Sequence, residues 1–298
     1  MERALVTGAA GFLGRHLIAG LVAAGTPTVA LCREPAALAA LAQPLLSVAP
    51  ADVRDTAACA RLLDGVDTVF HLAAVRNLPG ARPDEMAEVN ETATLRLARQ
   101  ATAAGVRRFV NLGTAQAYGS SSVPLDESAP LVAEDGRSFY AATKARAMVA
   151  LRQLAAEGAP VVTIAPTIIY GPDHPSRPNR VTDHVRRLLH RTVHVAPGGG
   201  EAPRDLVHVG DVVTALLAAA REPAAVGEEL LVTGEPVSYC GLAQLVAASA
   251  GRRAPIVVSL PLPMARAAAK LVDTVRGFDR RCGWASAVET LARPWSFR

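Results

Sequence analysis

Tyr140 and Lys144 stand four residues apart in SFYAATKAR, and Lys144 is one of two lysines in a chain whose 31 basic side chains are otherwise arginine. A phenol and an ammonium at i and i+4 share one face of a helix. Such a pair suits the delivery of a proton to an alkoxide. A phenol alone, with a pKa near 10, exchanges protons poorly at neutral pH. An ammonium about 5 Å away contributes roughly 3 kcal/mol at an effective dielectric near 20. That brings such a phenol down to about 8.

The alkoxide has a source if a hydride carrier binds nearby, and the start of the chain offers a seat for one. In VTGAAGFLG the glycines are Gly8, Gly11 and Gly14, directly after a strand-like run and at the head of a helix-like one. That context is what a dinucleotide-binding turn requires: a sharp bend, backbone amides close to a diphosphate, and a helix lying close on the sheet. Glycine turn and Tyr-x-x-x-Lys together outline a nicotinamide-dependent site. The second strand decides between NAD and NADP. It ends Leu31-Cys32-Arg33-Glu34, so the usual carboxylate position falls on Cys32 and a guanidinium follows. Arg33 suits a 2′-phosphate, with Arg15 available from the other side, and the reading is NADP(H). A shift of one residue would make Glu34 a ribose ligand and the cofactor NAD.

The elements that must position these residues alternate. Strand-like RALVT, TVALC, LLSVAPADV, DTVFHLA, RRFVNLGT and APVVTIAP are separated by helical stretches at 12–25, 36–41, 57–63, 85–104 and 139–157. Gly25 and Gly105 close two of the helices. Repeated β–α–β units of this length predict an α/β fold, a doubly wound parallel Rossmann sheet. VHVGDVVTALLAAAR reads as a further amphipathic helix and EELLVTG as a seventh strand. The expected division is a cofactor domain over 1–165 plus 206–234, and a smaller, mostly helical substrate domain over 166–205 plus 235–298.

Composition excludes other classes. The charge is +4, but the arginines are scattered without aromatic interleaving, so no nucleic-acid partner is expected. Cys32, Cys59, Cys240 and Cys282 lie far apart and read as reduced, buried thiols of a cytoplasmic protein. The first residues run straight into a strand, with no signal peptide expected. No apolar run reaches spanning length, and no membrane partner is expected. His174, His184, His190 and His194 crowd one polar region without ligand spacing, and no metal is expected. His71 and His208, in apolar contexts, read as structural.

With these residues in view, the chain resembles the extended short-chain dehydrogenase/reductase family, also called the NAD-dependent epimerase/dehydratase family. TGAAGFLG, ADV at 51–53, HLAA at 71–74, Asn90 in EVNETAT, NLGTAQAYG, YAATK, PTIIYGP at 166–172 and RDLVHVGDVV at 204–213 match its motifs in order. The resemblance implies a catalytic trio of Thr114, Tyr140 and Lys144. Thr114 donates to the carbonyl oxygen and Lys144 also holds the nicotinamide ribose. It implies cofactor contacts from Gly8, Gly11, Phe12, Leu13, Gly14, Arg33, Asp52, Val53, Leu72, Ala73, Ala74, Asn90, Tyr140, Lys144, Pro166 and Ile168. Arg76, Gln116 and Arg204 are the implied substrate contacts, and a homodimer through the helices at 85–104 and 139–157 is implied as well.

Departures from the family pattern narrow the activity. Sugar-nucleotide enzymes read Arg-Pro-x-Asn before Tyr-Gly-Pro, where this chain has Ala165 and Ile168. Dehydratases carry Asp-Glu after the catalytic Thr, where this chain has Ala115 and Gln116. The leading expectation is an NADP-dependent oxidoreductase reducing a small-molecule ketone or oxidising a secondary alcohol. The alternatives are a nucleotide-sugar epimerase with retained NAD, favoured by Arg204, and a cofactor-sensing protein without turnover.

Overall fold

In a computed structural model of the chain, residues 1–121, 123–132, 138–172, 179–279 and 281–298 are described. The elements run in order β1 (Ala4–Thr7), α1 (Phe12–Ala23), β2 (Thr28–Cys32), β3 (Leu46–Pro50), α2 (Thr56–Leu62), β4 (Thr68–His71) and α3 (Pro83–Ala87). A π-helical segment, Glu88–Ala93, then leads into α4 (Thr94–Ala103), β5 (Arg108–Leu112), α5 (Phe139–Ala156) and β6 (Val161–Pro166). Next come β7 (Ile168–Tyr170), α6 (Arg180–His190), β8 (Val193–Pro197), β9 (Arg204–His208), α7 (Val209–Arg221) and β10 (Glu229–Val232). β11 (Pro236–Val237), α8 (Tyr239–Ser249), β12 (Ile256–Leu260), α9 (Leu262–Arg276) and α10 (Trp284–Leu291) complete the chain.

Seven strands form one parallel sheet in the order β10-β6-β5-β4-β1-β2-β3, the doubly wound arrangement expected. Side chains alternate across each strand. Val6, Ala30, Phe70, Val110 and Val162 face α1 and α7, packing on Leu13, Leu17, Leu21, Val212 and Leu216. Leu5, Val29, Val69, Phe109 and Val161 face the opposite layer, with Cys59, Leu97, Ala101 and Leu151. Because both faces are covered, the central strands are near-continuous apolar runs instead of alternating ones.

Asp55 caps α2 through the Ala58 amide at 2.9 Å, and Ser138 caps α5 through the Ala141 amide at 3.2 Å. The helix expected over 85–104 is interrupted by the π segment. VHV, read as the head of a helix, belongs partly to β9.

The C-terminal region is helical as expected, but two small sheets accompany it. β7 and β11 flank β9, and β8 pairs in parallel with β12. The first of these draws strands from both sides of the boundary read at 205. The last residues act as a strap. The Trp295 amide donates to Pro203, the Phe297 amide to the Asp205 carboxylate at 2.7 Å, and the Arg298 amide to Leu125. Phe297 is buried with Tyr118, Met148 and Ala165.

Candidate active site

The seven parallel strands place their carboxyl ends along one edge of the sheet, and most of the residues expected at the site stand on the loops and helix starts at that edge. After β1, Gly8 has φ +66°, and a Cβ there would lie 2.6 Å from the Leu72 carbonyl carbon. This is a conformation and a space that only glycine fits, so the TGAAG turn lies directly on the HLAA segment. At Gly14 a Cβ would meet the Gly8 oxygen at 2.5 Å, so α1 could not seat so close to the turn with any larger residue. Phe12 and Leu13 form its first turn, which contains no acidic side chain. Its free amides and positive end fit a diphosphate.

Thr7 and His71, neighbours across β1 and β4, tie these two turns together. The Ala73 amide donates to Thr7 Oγ1 at 3.2 Å, and that hydroxyl lies 2.8 Å from His71 Nδ1. His71 Nε2 is 2.9 Å from Thr94 Oγ1, whose own proton goes to the Val89 carbonyl. The network assigns the ring proton to Nε2 and a neutral imidazole, in keeping with a pKa pushed down to about 3 by complete burial. His71 is structural, as expected. His208 also acts locally, capping α7 through the Gly210 amide.

The carboxyl ends of β2 and β3 are more cationic than expected from the sequence. Arg33 is exposed, and its guanidinium is 3.9 Å from the Asp52 carboxylate. Arg54, not among the expected contacts, grips Asp52 with two bonds of 2.9 and 2.8 Å and holds its carboxyl below the usual range. Its signal was the position two residues after Asp52, on the same turn. Val53 is buried beneath. Arg15 does not join this group, since its guanidinium is occupied by the Ala10 and Ala37 carbonyls. Glu34 is exposed at the head of the 3-10 turn Pro35–Leu41.

Asn90, fully buried in the π segment, works through the chain itself. Its carboxamide accepts from the Val75 amide at 2.8 Å, and donates to the Val75 carbonyl at 3.0 Å and to Thr143 Oγ1 at 3.1 Å. One side chain thereby fixes the loop carrying Ala73, Ala74 and Arg76 and the turn of α5 carrying Lys144. A π-turn adds a residue to the helix repeat and commonly marks such functional positions.

Tyr140 and Lys144 lie in the first two turns of α5. Thr114, buried after β5, stands beside the half-buried Tyr140, so these two expected residues do meet. Burial pushes the phenol up, while the nearby Arg76 guanidinium and the Thr114 hydroxyl draw it back down. Lys144 is not among the groups that act on the phenol. The Lys144 ammonium donates instead to the Leu112 carbonyl at 2.6 Å, and its own pKa is pushed down to about 8 by burial. Gln116 is half-buried in the short 3-10 turn that Thr114 caps. Pro166 ends β6 and Ile168 opens β7 on the same side.

Arg204 is held elsewhere. Its guanidinium donates to the Thr290 carbonyl of α10 at 2.7 Å, and burial lowers its pKa to about 10. Asp205, its neighbour in β9, binds the Phe297 amide. The loop after β4 touches the same C-terminal region: Asn77 donates to Ser286 of α10 at 3.0 Å, and Gly80 packs on Phe278, between α9 and α10. All four cysteines are free, three buried and Cys240 half-buried. His194 accepts or donates to the Tyr239 hydroxyl at 2.9 Å, with His184 edge-on to the same ring, while His174 lies outside the described residues. Among the described residues no cluster of three His, Cys, Asp or Glu side chains could hold a metal.

A glycine turn on a doubly wound sheet, with a Tyr-x-x-x-Lys helix across its carboxyl edge, defines an NAD(P)-dependent enzyme of the extended short-chain dehydrogenase/reductase type. The sequence profile of the NAD dependent epimerase/dehydratase family matches residues 4–233, and the chain belongs to that family. It is 32% identical over 283 residues to a 4-hydroxy-2-methyl-3-oxo-4-farnesyl-3,4-dihydroquinoline-1-oxide ketoreductase of Stigmatella aurantiaca, covering 92% of this chain and 80% of that one. It is 30% identical over 269 residues to a 3 beta-hydroxysteroid dehydrogenase/Delta 5-->4-isomerase of Mycobacterium tuberculosis, covering 86% and 71%. The crystal structure of a DesIV double mutant, a dTDP-glucose 4,6-dehydratase from Streptomyces venezuelae with NAD and DAU bound, aligns with TM-score 0.73 and 30% identity over 87% of this chain and 84% of that one.

Proposed function

We propose that the protein is an NADP(H)-dependent ketoreductase acting on a small, largely apolar ketone or the matching secondary alcohol. The neighbouring hydroxyls of Thr114 and Tyr140 carry this reading. Two adjacent hydroxyls at the sheet edge, the first buried and the second on a half-buried ring, form a seat for one carbonyl oxygen.

A bound nicotinamide supplies or removes the hydride. The chain's residues do the rest. The Tyr140 hydroxyl donates a proton to the oxygen that becomes an alcohol, and Thr114 holds that oxygen. Arg76 stabilises the phenolate left behind, since its charge already opposes the effect of burial. Lys144 stands under the same edge for the nicotinamide ribose, and Asn90 keeps its turn of helix in register with the loop after β4. The α1 amides suit the diphosphate. Arg33, with no carboxylate at Cys32, suits a 2′-phosphate.

Ketoreductase and hydroxysteroid dehydrogenase relatives support a ketone substrate. The epimerase reading asks Arg204 to hold a sugar diphosphate, whereas its guanidinium is engaged by Thr290. The segments 166–205 and 235–298 are taken as the substrate side, because α10 and the segment joining it to α9 reach the loop carrying Arg76. A cytoplasmic homodimer through α4 and α5 belongs to the same reading. These helices border an open groove of about 590 Å³ lined by Leu95, Arg96, Arg99 and Arg146.

The test is NADPH oxidation by the purified enzyme with apolar cyclic ketones, beside an assay with UDP-glucose. Turnover of the ketone with reversible NADPH binding is expected. Copurified, tightly held NAD with UDP-glucose epimerisation would replace this reading.

A further inference from the structure

We propose that the C-terminal region docks on an anionic phospholipid bilayer, through one face of α9 and one face of the β8–β12 pair. The proposal rests on surface geometry and is independent of the reaction at the site.

α9 has three longitudinal faces. Ala265, Ala269 and Asp273 recur every four residues and are buried against α10. Arg266 and Lys270 mark a polar side. The remaining arc carries Met264, Ala268, Leu271, Val272 and Val275 with no charge among them, and Met264, Leu271 and Val275 are 61%, 65% and 75% exposed. The neighbouring sheet repeats the pattern. Val193 pairs with Ile256 and Val195 with Val258, on one face of two strands, and all four are 46–66% exposed. β12 runs into α9 through Pro261 alone. Each face exposes roughly 400 Å² of apolar side chain, within the ~300–600 Å² of the largest patches on monomers, which are often functional.

Charge indicates the occupant. Residues 235–298 hold nine basic and four acidic side chains, while the whole chain is only +4. Of those acids Asp273 is buried, and Asp279 and Glu289 are ion-paired with Arg281 and Arg266. The parallel strands bring Arg191 and Arg253 to the same end of the apolar face, and Arg276 lies at the C-terminal end of the α9 stripe, all three exposed. Apolar faces rimmed by cations suit an in-plane seat at an anionic headgroup layer. No helix among the described residues is long and apolar enough to cross a membrane. The expectation of no membrane partner came from seeking a spanning segment, and an in-plane seat needs none.

The test is flotation of the full chain with phosphatidylcholine vesicles containing or lacking 30% phosphatidylglycerol. Binding is expected only with phosphatidylglycerol and should weaken in 0.5 M salt. Leu271→Glu/Val275→Glu and Val195→Glu/Ile256→Glu should each cut the bound fraction at least tenfold with melting temperature retained. Arg253→Ala/Arg276→Ala, which leaves the apolar faces intact, should remove much of the salt-sensitive part. Ketone turnover in vesicle-free buffer should be unchanged in all three, which separates docking from chemistry. Absence of wild-type binding, or equal binding by the glutamate variants, would overturn the proposal. So would ultracentrifugation showing that those variants split an oligomer while the wild type ignores vesicles, because the faces would then cover a second copy.

Discussion

Tyr140 is held in place by the protein and made less acidic by its burial, and the groups that counter this are Thr114 and Arg76. Removing the hydroxyl in Tyr140→Phe should lower kcat by at least ~100-fold, the usual scale of a lost general acid, with the cofactor Kd within about twofold. Steady-state kinetics and fluorescence titration read the two separately, and near-wild-type kcat would defeat the mechanism. Arg76→Ala should raise the upper pKa of the kcat/KM profile, since a cation near the phenol favours its ionised form. An unmoved profile would remove Arg76 from the chemistry. Arg33→Ala should weaken NADPH about tenfold or more and leave NADH nearly unaffected, because only the former carries the extra phosphate. Equal losses would mean that the end of β2 does not read the phosphate. At this scale residue identity was legible because the motifs are local: TGAAGFLG and YAATK are each short continuous runs of chain. What Lys144 touches was not legible. Its acceptor, the Leu112 carbonyl, is 32 residues away in sequence and belongs to another element.

At the scale of elements, the interlock of β1, β4 and the π segment through Thr7, His71 and Thr94 makes the fold acid-sensitive. His71 has a folded pKa of about 3 against 6.5 when unfolded, so the unfolded chain binds the extra proton as pH falls. Stability from this group is complete above pH 6.5 and declines below it, by about 2 kcal/mol at pH 5. His71→Asn, which cannot titrate, should be less stable at neutral pH but should show a flatter loss of melting temperature between pH 6.5 and 5. A parallel loss in both proteins would assign the acid sensitivity elsewhere. The strands of the main sheet were readable as buried apolar runs, and their helices as amphipathic stretches closed by glycine. The π segment was not, because EVNETA has ordinary helical character and the extra residue is imposed by Asn90 reaching Val75 and Thr143. The pairing of VHVAP with IVVSL was also missed, because partners about 60 residues apart leave only a weak alternation in each strand.

In the molecule as a whole, the chain's end is stitched to its middle. Trp295 and Phe297 lie along Pro203 and Asp205 on one side and Leu125 on the other, closing a core that also contains Tyr118 and Met148. Phe297→Ala should cost about 3 kcal/mol and lower the melting temperature by roughly 5–10 °C, read by calorimetry. A shift under 2 °C would show that the strap is dispensable. Composition announced none of this, since the tail is a handful of residues whose partners are more than 90 positions away.

An arginine-rich chain with two lysines also has a practical chemistry. One amine is sealed beneath the sheet edge, 2% exposed, and the other stands in the open on α9. An N-hydroxysuccinimide dye applied to the native enzyme will therefore mark the α-amine and Lys270, and leave the reaction centre untouched until the fold is opened. The stoichiometry of labelling thus becomes a direct counter of unfolded molecules.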